Sequence, residues 1–169
     1  NHRCVPLEDE TSTHFKATPL FLGSWIQAGI NVLTLGGSTD AETEATLYEQ
    51  AIKAKIPTNK DGIAEFDLML IGVGLDGHVG SLYPDSEAVA DNSGRSVLSV
   101  VKPSSSSITL SLSTMLAAKE IIIASAGKSD KYPLGKAEGM LRALEKEDES
   151  IDSFPAVAFR GKAKWLLDE

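Results

Sequence analysis

An acid and an imidazole stand two residues apart in a glycine-rich stretch near the middle of the chain. The stretch reads Gly72-Val73-Gly74-Leu75-Asp76-Gly77-His78 and follows an apolar run over residues 66–73. Such a run is typical of a strand buried on both faces of a parallel sheet, and ligands bind beyond the carboxyl ends of such strands. We therefore predict that Asp76 and His78 project into a functional crevice, where an acid and an imidazole are typical of acid–base chemistry.

Two other interpretations of this stretch compete with a functional crevice. One is a tight turn with a capping acid and a surface histidine, and it stays open. The other is a dinucleotide site, because Gly72, Gly74 and Gly77 satisfy the spacing G-x-G-x-x-G. That pattern should open a long helix, whereas Pro84 follows seven residues after Gly77, so a dinucleotide site is disfavoured.

A second glycine-rich turn, Gly36-Gly37-Ser38-Thr39, precedes a helix predicted over residues 40–55. Backbone N–H groups at a helix N-terminus can hold a phosphate. A strand-to-helix turn in which Ser38 or Thr39 caps the helix is the favoured interpretation. The sequence holds no G-x-S-x-G, H-E-x-x-H or Cys-x-x-Cys motif, which disfavours a serine esterase of that type and a zinc site.

Strands and helices alternate along the chain. Strands are predicted over residues 30–35, 66–73, 96–101, 108–112, 120–125, 156–159 and 163–167, and helices over residues 15–27, 40–55, 114–119 and 132–146. This alternation predicts an α/β fold with a mainly parallel open sheet and flanking helices. The length of 169 residues predicts a single domain over residues 1–169.

Composition limits the class of partner. The net charge of −8 disfavours a general nucleic-acid binder, and no apolar run reaches the roughly 20 residues of a membrane helix. Cys4 is the only cysteine, so we expect a reducing compartment, either the cytoplasm or an organelle stroma or matrix. The chain begins without Met, so we expect a processed or partial sequence, in which any targeting segment would not be visible.

Three basic residues are candidate contacts for a small anion: Arg3, Lys128 and Lys131. The two lysines follow the strand predicted over residues 120–125, so they too belong to the carboxyl end of a strand. A solvated surface charge is nevertheless the commoner role of any one lysine. His2 and His14 lie in predicted loops, and we expect both at the surface.

Residues 67–86 read Asp-Leu-Met-Leu-Ile-Gly-Val-Gly-Leu-Asp-Gly-His-Val-Gly-Ser-Leu-Tyr-Pro-Asp-Ser and closely resemble the signature of 6-phosphogluconolactonases, within the glucosamine-6-phosphate isomerase group. Residues 78–84 resemble the lactonase branch rather than the isomerase branch. Three further blocks agree in order. Arg3-Cys4-Val5-Pro6 resembles D-E-R-x-V-P, residues 108–112 resemble I-T-L-T-L, and residues 164–168 resemble W-F-L-D.

The resemblance implies hydrolysis of 6-phospho-D-glucono-1,5-lactone to 6-phosphogluconate in the oxidative pentose phosphate pathway, without a metal or organic cofactor. His78 matches the catalytic histidine of the family. An imidazole titrates near neutral pH and can take the proton of an attacking water. Asp76 would orient the ring or the substrate, and backbone N–H groups between Gly74 and Gly77 would stabilise the oxyanion.

The resemblance also implies a cationic anchor for the sugar phosphate. Arg3 and Lys128 are the best positional matches, and Lys131 competes with Lys128 for the lysine of the family's G-x-x-K turn. Ser107 stands where many members carry an arginine, and Asn1-His2 stand where the family has Asp-Glu.

The family's N-terminal strand–Gly-Gly–helix phosphate loop has no counterpart in this sequence, which resembles the C-terminal two-thirds of the family domain. Two explanations stay open. The chain belongs to a longer lactonase, which we favour because His78 is retained. Alternatively, it is a degenerate relative that serves as a structural or interaction subunit, and then a partner chain is expected at an exposed strand edge. A sugar-phosphate-binding module and an isomerase are weaker alternatives.

Overall fold

The computed structural model describes residues 2–125 and 137–167. Its elements follow in the order β1 (His2–Arg3), α1 (Thr13–Ala17), a π-helical turn (Thr18–Leu22), α2 (Gly23–Gln27), α3 (Ala41–Lys55), β2 (Leu68–Gly72), β3 (Val97–Lys102), β4 (Ser105–Leu110), α4 (Leu112–Leu116), β5 (Glu120–Ser125), α5 (Ala137–Glu145), a 3-10 helix (Pro155–Phe159) and β6 (Lys164–Leu167). The chain divides into two compact units, residues 1–56 with 97–110 and residues 57–96 with 111–169. The single domain expected from the length stays a prediction.

The first unit carries an antiparallel sheet in the order β1-β4-β3. β3 and β4 form a hairpin, and α3 packs against both strands. The helix buries Ala41, Ala45 and Ile52, which lie on one face because they are four and seven residues apart. Asp40 begins this helix, since its side chain accepts the Thr43 N–H at 2.7 Å. The predicted helix is confirmed, but the predicted cap at Ser38 or Thr39 is wrong.

The second unit carries the predicted parallel sheet, in the order β2-β5-β6. Its buried face includes Met69 and Ile71 from β2. Leu68 and Leu70 point to the opposite face, where they are 53% and 72% exposed, because successive side chains of a strand alternate between faces. Burial of β2 on both faces, which its apolar run predicts, is therefore not found among the described residues.

Two predicted strands are wrong. Residues 30–35 alternate in hydrophobicity but form no strand, because alternation stabilises a strand only where a neighbour pairs with its backbone. Residues 156–159 belong to a 3-10 helix that begins at Pro155, and proline favours the first helical position because it has no N–H to donate. None of the helices among the described residues has the length and apolar character needed to cross a membrane.

His2 is buried, so the prediction of a surface position is wrong for this residue; its side chain and backbone are 7% exposed. Its Nδ1 lies 2.6 Å from the Arg3 carbonyl oxygen, and its Nε2 accepts the His14 N–H at 3.2 Å. Because Nε2 accepts, Nδ1 carries the proton and donates. Both ring nitrogens therefore stabilise the start of the first unit rather than contact a ligand.

Candidate active site

The histidine turn, residues 74–78, follows β2 and is closed by backbone hydrogen bonds. The Gly74 N–H donates to the His78 carbonyl at 2.9 Å, and the Gly77 N–H donates to the Gly74 carbonyl at 3.0 Å. Val73 and Val79 flank the turn, pair with each other and are both buried. The chain thus leaves the parallel sheet, forms a tight loop and returns, which places the side chains of the loop beyond the carboxyl end of β2.

Asp76 and His78 contact each other inside this turn. The Asp76 Oδ1 lies 2.6 Å from the His78 Nδ1 and accepts the His78 backbone N–H at 3.2 Å. A carboxylate accepts only, so Nδ1 carries the ring proton and Nε2 is the basic nitrogen. Within the described residues no hydrogen bond occupies Nε2. The two side chains remain accessible, with 33% of His78 and 53% of Asp76 exposed.

The charge of Asp76 is maintained by its partner. Partial burial raises the pKa of the Asp76 carboxyl, but hydrogen bonds from the His78 ring and the His78 amide outweigh burial, and the pKa falls below its ordinary value of 3.8. Asp76 is therefore a carboxylate at neutral pH. It can hold the Nδ1 proton and stabilise an imidazolium formed during a reaction.

Gly74 provides the space that the imidazole occupies. A Cβ built on Gly74 would overlap the His78 ring and lie 2.7 Å from the Asp76 Oδ1. Any side chain at residue 74 would thus displace the acid or the ring. The amides of both site glycines already donate within the turn, so what they contribute here is space and backbone conformation. Contact between either glycine and a substrate stays a prediction.

Gly77 allows the turn to pack against a distant part of the second unit. Its φ is +81°, and a Cβ there would lie 2.5 Å from the Cγ of Phe154, which is fully buried. The Ala156 N–H donates to the Gly77 carbonyl at 2.9 Å. The guanidinium of Arg142, from α5, lies over the Phe154 ring, with its Cζ 4.5 Å from the ring centroid. The histidine turn is therefore supported from behind by residues that follow it far along the chain.

Sequence reasoning missed the contacts that hold the turn. Phe154 and Ala156 lie in a segment with no motif, and no local signal marks them. Tyr83 had a signal, since it belongs to the signature block, but its contact with the His78 ring did not follow from the pattern. The ring centroids of Tyr83 and His78 are 4.8 Å apart.

The predicted anion contacts are not brought together by the described residues. Arg3 lies in β1 of the first unit, is exposed and stands opposite Ser107 in the β1–β4 register. Lys128 and Lys131 lie outside the described residues. Their roles stay predictions, as does that of Arg3.

The serine turn, residues 36–38, is filled by a side chain of the protein itself. The buried Glu44 carboxylate accepts the Gly36 N–H at 2.6 Å and the Ser38 N–H at 2.7 Å. A phosphate at these amides would have to displace a carboxylate that already satisfies them. The turn is thus closed by the protein's own side chain, although no strand directly precedes it and Glu44 rather than Ser38 or Thr39 provides the contacts.

Two other kinds of site gain no support. Residues 78–96 contain turns and no helix, so the glycines of β2 and the histidine turn lack the helix that a dinucleotide-binding pattern requires. In the part of the chain that the structure describes, no group of three or more His, Cys, Asp or Glu residues is arranged to hold a metal ion.

The family model of glucosamine-6-phosphate isomerases/6-phosphogluconolactonase matches residues 1–167. The chain belongs to this family. A 6-phosphogluconolactonase of Streptomyces coelicolor is 35% identical over 136 residues, which are 77% of this chain and 49% of that protein. The 6-phosphogluconolactonase of Homo sapiens is 29% identical over 174 residues, which cover 100% of this chain and 64% of that protein.

Solved structures agree with this assignment. The crystal structure of 6-phosphogluconolactonase from Leishmania guyanensis superposes with a TM-score of 0.75 at 25% sequence identity, over 99% of this chain and 69% of that one. A monomeric glucosamine-6-phosphate deaminase, 20% identical with a TM-score of 0.65, shares the fold. The α/β fold is thus that of the family. The chain spans about half to two-thirds of the length of the relatives it matches.

Proposed function

We propose that this chain belongs to a 6-phosphogluconolactonase, which hydrolyses 6-phospho-D-glucono-1,5-lactone to 6-phosphogluconate in the oxidative pentose phosphate pathway. The observation that carries the proposal is the Asp76–His78 pair, with Nδ1 held at 2.6 Å and Nε2 directed away from the acid. The names of relatives such as those of Streptomyces coelicolor and Homo sapiens support the same activity.

The proposed reaction uses the imidazole first as a base and then as an acid. The His78 Nε2 takes a proton from a water molecule as the water oxygen attacks the lactone carbonyl. The resulting tetrahedral intermediate collapses with breakage of the bond between the carbonyl carbon and the ring oxygen. The imidazolium returns its proton to the departing ring oxygen, and the product is a hydroxy acid. Asp76 stabilises the imidazolium between these two steps.

The phosphate of the substrate is an anion, and the chain as a whole is acidic. Binding the phosphate therefore requires positively charged side chains at the site. We propose that Arg3 supplies part of it, since it is exposed on β1, and that Lys128 or Lys131 supplies the rest. Arg3 has Ser107 as its cross-strand neighbour, so no second arginine reinforces it at that pair. We also propose a reducing compartment, supported by the single, buried Cys4.

The same residues argue against a degenerate subunit. Residue 74 is a glycine at a position where any side chain would disturb the His78 ring, and Asp76 makes the contact that orients this ring. A structural subunit needs neither feature. An isomerase differs from a lactonase in its substrate. It acts on an aminosugar phosphate, whereas a lactonase hydrolyses a lactone.

The experiment is a hydrolysis assay on the purified 169-residue chain, with the lactone generated in situ and its spontaneous hydrolysis subtracted. We expect His78→Ala to lower kcat/KM by about 1000-fold, the range of a lost general base. His14→Ala is the matched control, because the contact of His14 with His2 uses its backbone N–H. It should leave the rate unchanged.

The substrates separate the alternatives. Glucono-1,5-lactone without the phosphate tests the anion contacts, and glucosamine 6-phosphate tests an isomerase. A folded wild-type chain that hydrolyses the phosphorylated lactone no faster than buffer would overturn the proposal, and a search for a partner chain would then follow. Turnover of the aminosugar phosphate alone would replace the lactonase by an isomerase.

A further inference from the structure

Tyr83 lies against the imidazole of His78. Their ring centroids are 4.8 Å apart, with 33° between the planes. The local chain path produces this contact. The Leu82 N–H donates to the Val79 carbonyl at 2.9 Å, and the Val79 N–H donates to the Leu82 carbonyl at 3.3 Å. The two residues between them form a tight turn, so the residues on either side of the pair become neighbours across it.

The backbone that carries the Tyr83 ring is held on its other side. The Tyr83 carbonyl accepts the Ser86 N–H at 3.2 Å and the Ser86 hydroxyl at 2.7 Å. Asp85 has a φ of +53°, a left-handed conformation that residues other than glycine adopt infrequently. Its N–H donates to the Asp152 carbonyl at 2.8 Å, which holds it there. The ring thus projects from a backbone with little freedom.

The contact completes the restraint on the imidazole. A single hydrogen bond from Nδ1 to Asp76 leaves the His78 ring free to swing about that bond, since one contact fixes one point. The imidazole occupies the space that a Cβ of Gly74 would take, so the Gly74 backbone borders one side of the ring. The Tyr83 ring, whose centroid lies 4.8 Å from that of the imidazole, limits the remaining swing.

We propose that Tyr83 is a positioning residue, whose ring holds the His78 imidazole so that Nε2 faces the substrate. The inference rests on the proposed function, in which Nε2 is the base. It concerns the aromatic ring and not the hydroxyl, which predicts that phenylalanine replaces tyrosine whereas an aliphatic side chain does not.

The test compares Tyr83→Leu with Tyr83→Phe in the 169-residue chain. We expect Tyr83→Leu to lower kcat by about 10-fold, with KM within about 2-fold, because an aromatic pair contributes about this much. Tyr83→Phe should restore kcat to within about 2-fold of the wild type. Tyr48→Leu is the matched control, because Tyr48 is also half-buried but lies in α3 of the first unit. It should leave kcat unchanged.

A second readout does not depend on activity. NMR relaxation of histidine ring carbons reports the mobility of the three imidazoles. We expect the His78 ring to become mobile in Tyr83→Leu, and to stay ordered in Tyr83→Phe and Tyr48→Leu. Should Tyr83→Leu fail to fold, Tyr83→Met takes its place with the same expectations.

The outcomes separate the two proposals. An ordered His78 ring in folded Tyr83→Leu, or an unchanged kcat, overturns the positioning role. An inactive wild-type chain overturns the lactonase instead, and the ring mobility then decides the role of Tyr83 by itself.

Discussion

Each unit of the molecule has a glycine-rich turn with an acid beside it. One acid binds the backbone of its turn, and the other binds a side chain. In the serine turn Glu44 is buried, and both of its oxygens accept backbone amides of the turn. In the histidine turn Asp76 is half-exposed and accepts the Nδ1 proton of His78. An acid that points into a turn occupies the backbone N–H donors of that turn, whereas an acid that points outward orients another side chain. Similar glycine patterns therefore encode a structural turn in one unit and a candidate active site in the other.

The largest expected change in stability comes from replacing a glycine by alanine, and each turn offers one glycine for the comparison. Gly37 and Gly77 have nearly the same φ, +82° and +81°. Alanine at residue 37 should lower the free energy of unfolding by about 1 kcal/mol, the strain of a left-handed alanine. Alanine at residue 77 adds the overlap with Phe154, for a loss of about 3 kcal/mol. Urea unfolding measures both, and equal losses would show that the support from Phe154 is absent.

The two acids should differ in what their loss affects. Glu44→Gln removes a buried acceptor from one of two amides, and we expect a loss of about 3 kcal/mol in unfolding free energy. Asp76→Asn should change stability by less than about 0.5 kcal/mol, since the acid is half-exposed. It should instead lower kcat by about 100-fold, because the ring loses its orientation. Activity and urea unfolding of both variants provide the measurement, and a stability loss in Asp76→Asn matching that of Glu44→Gln would remove the distinction.

Cys4 reports the charge near the serine turn. Burial, with the negative charges of Glu44 and Asp40, raises the pKa of the Cys4 thiol from 9.0 to about 11. Below pH 9 the folded and unfolded chains both carry the thiol. Between pH 9 and about 11 only the unfolded chain loses its proton, so the stabilisation is lost as the pH rises through this window.

The expected loss from Cys4 is about 2 kcal/mol between pH 9 and pH 11, relative to Cys4→Ala, from a shift of about two pH units. Comparison of the two chains cancels the titration of lysines and tyrosines. Parallel stability curves for the two chains would contradict the prediction. In Glu44→Gln the thiol should titrate at lower pH, which ultraviolet absorbance of the thiolate detects.

For phosphate binding at the serine turn we expect no effect in the wild type. Inorganic phosphate should not shift the amide resonances of Gly36 and Ser38, because the Glu44 carboxylate already accepts both N–H groups. A phosphate-dependent shift at these two amides in the wild type would make the serine turn an anion site. In Glu44→Ala, where the donors are free, a weak shift is expected.

Prediction from the sequence succeeded where a contact or an element is local. Helix α3 was predicted from the acidic residues of its first turn, although Asp40 rather than Ser38 or Thr39 caps it. Strand β5 coincides with the predicted residues 120–125, because three consecutive β-branched isoleucines favour a strand. Residues 30–35 show the limit, since no strand among the described residues pairs with them. The apolar residues Leu68 and Leu70 show another, since hydrophobicity alone does not reveal which face is covered.

The candidate site divides along the same line. The sequence by itself determined that an acid, two glycines and an imidazole stand in one turn after a strand, and the Asp76–His78 contact follows because the two residues are near neighbours in the chain. Only the tertiary structure decided that Phe154 and Ala156 support this turn, and that the carboxylate of Glu44 closes the other. Those contacts depend on how distant segments bury their apolar surface and satisfy their amides, and spacing within a short motif does not specify that packing.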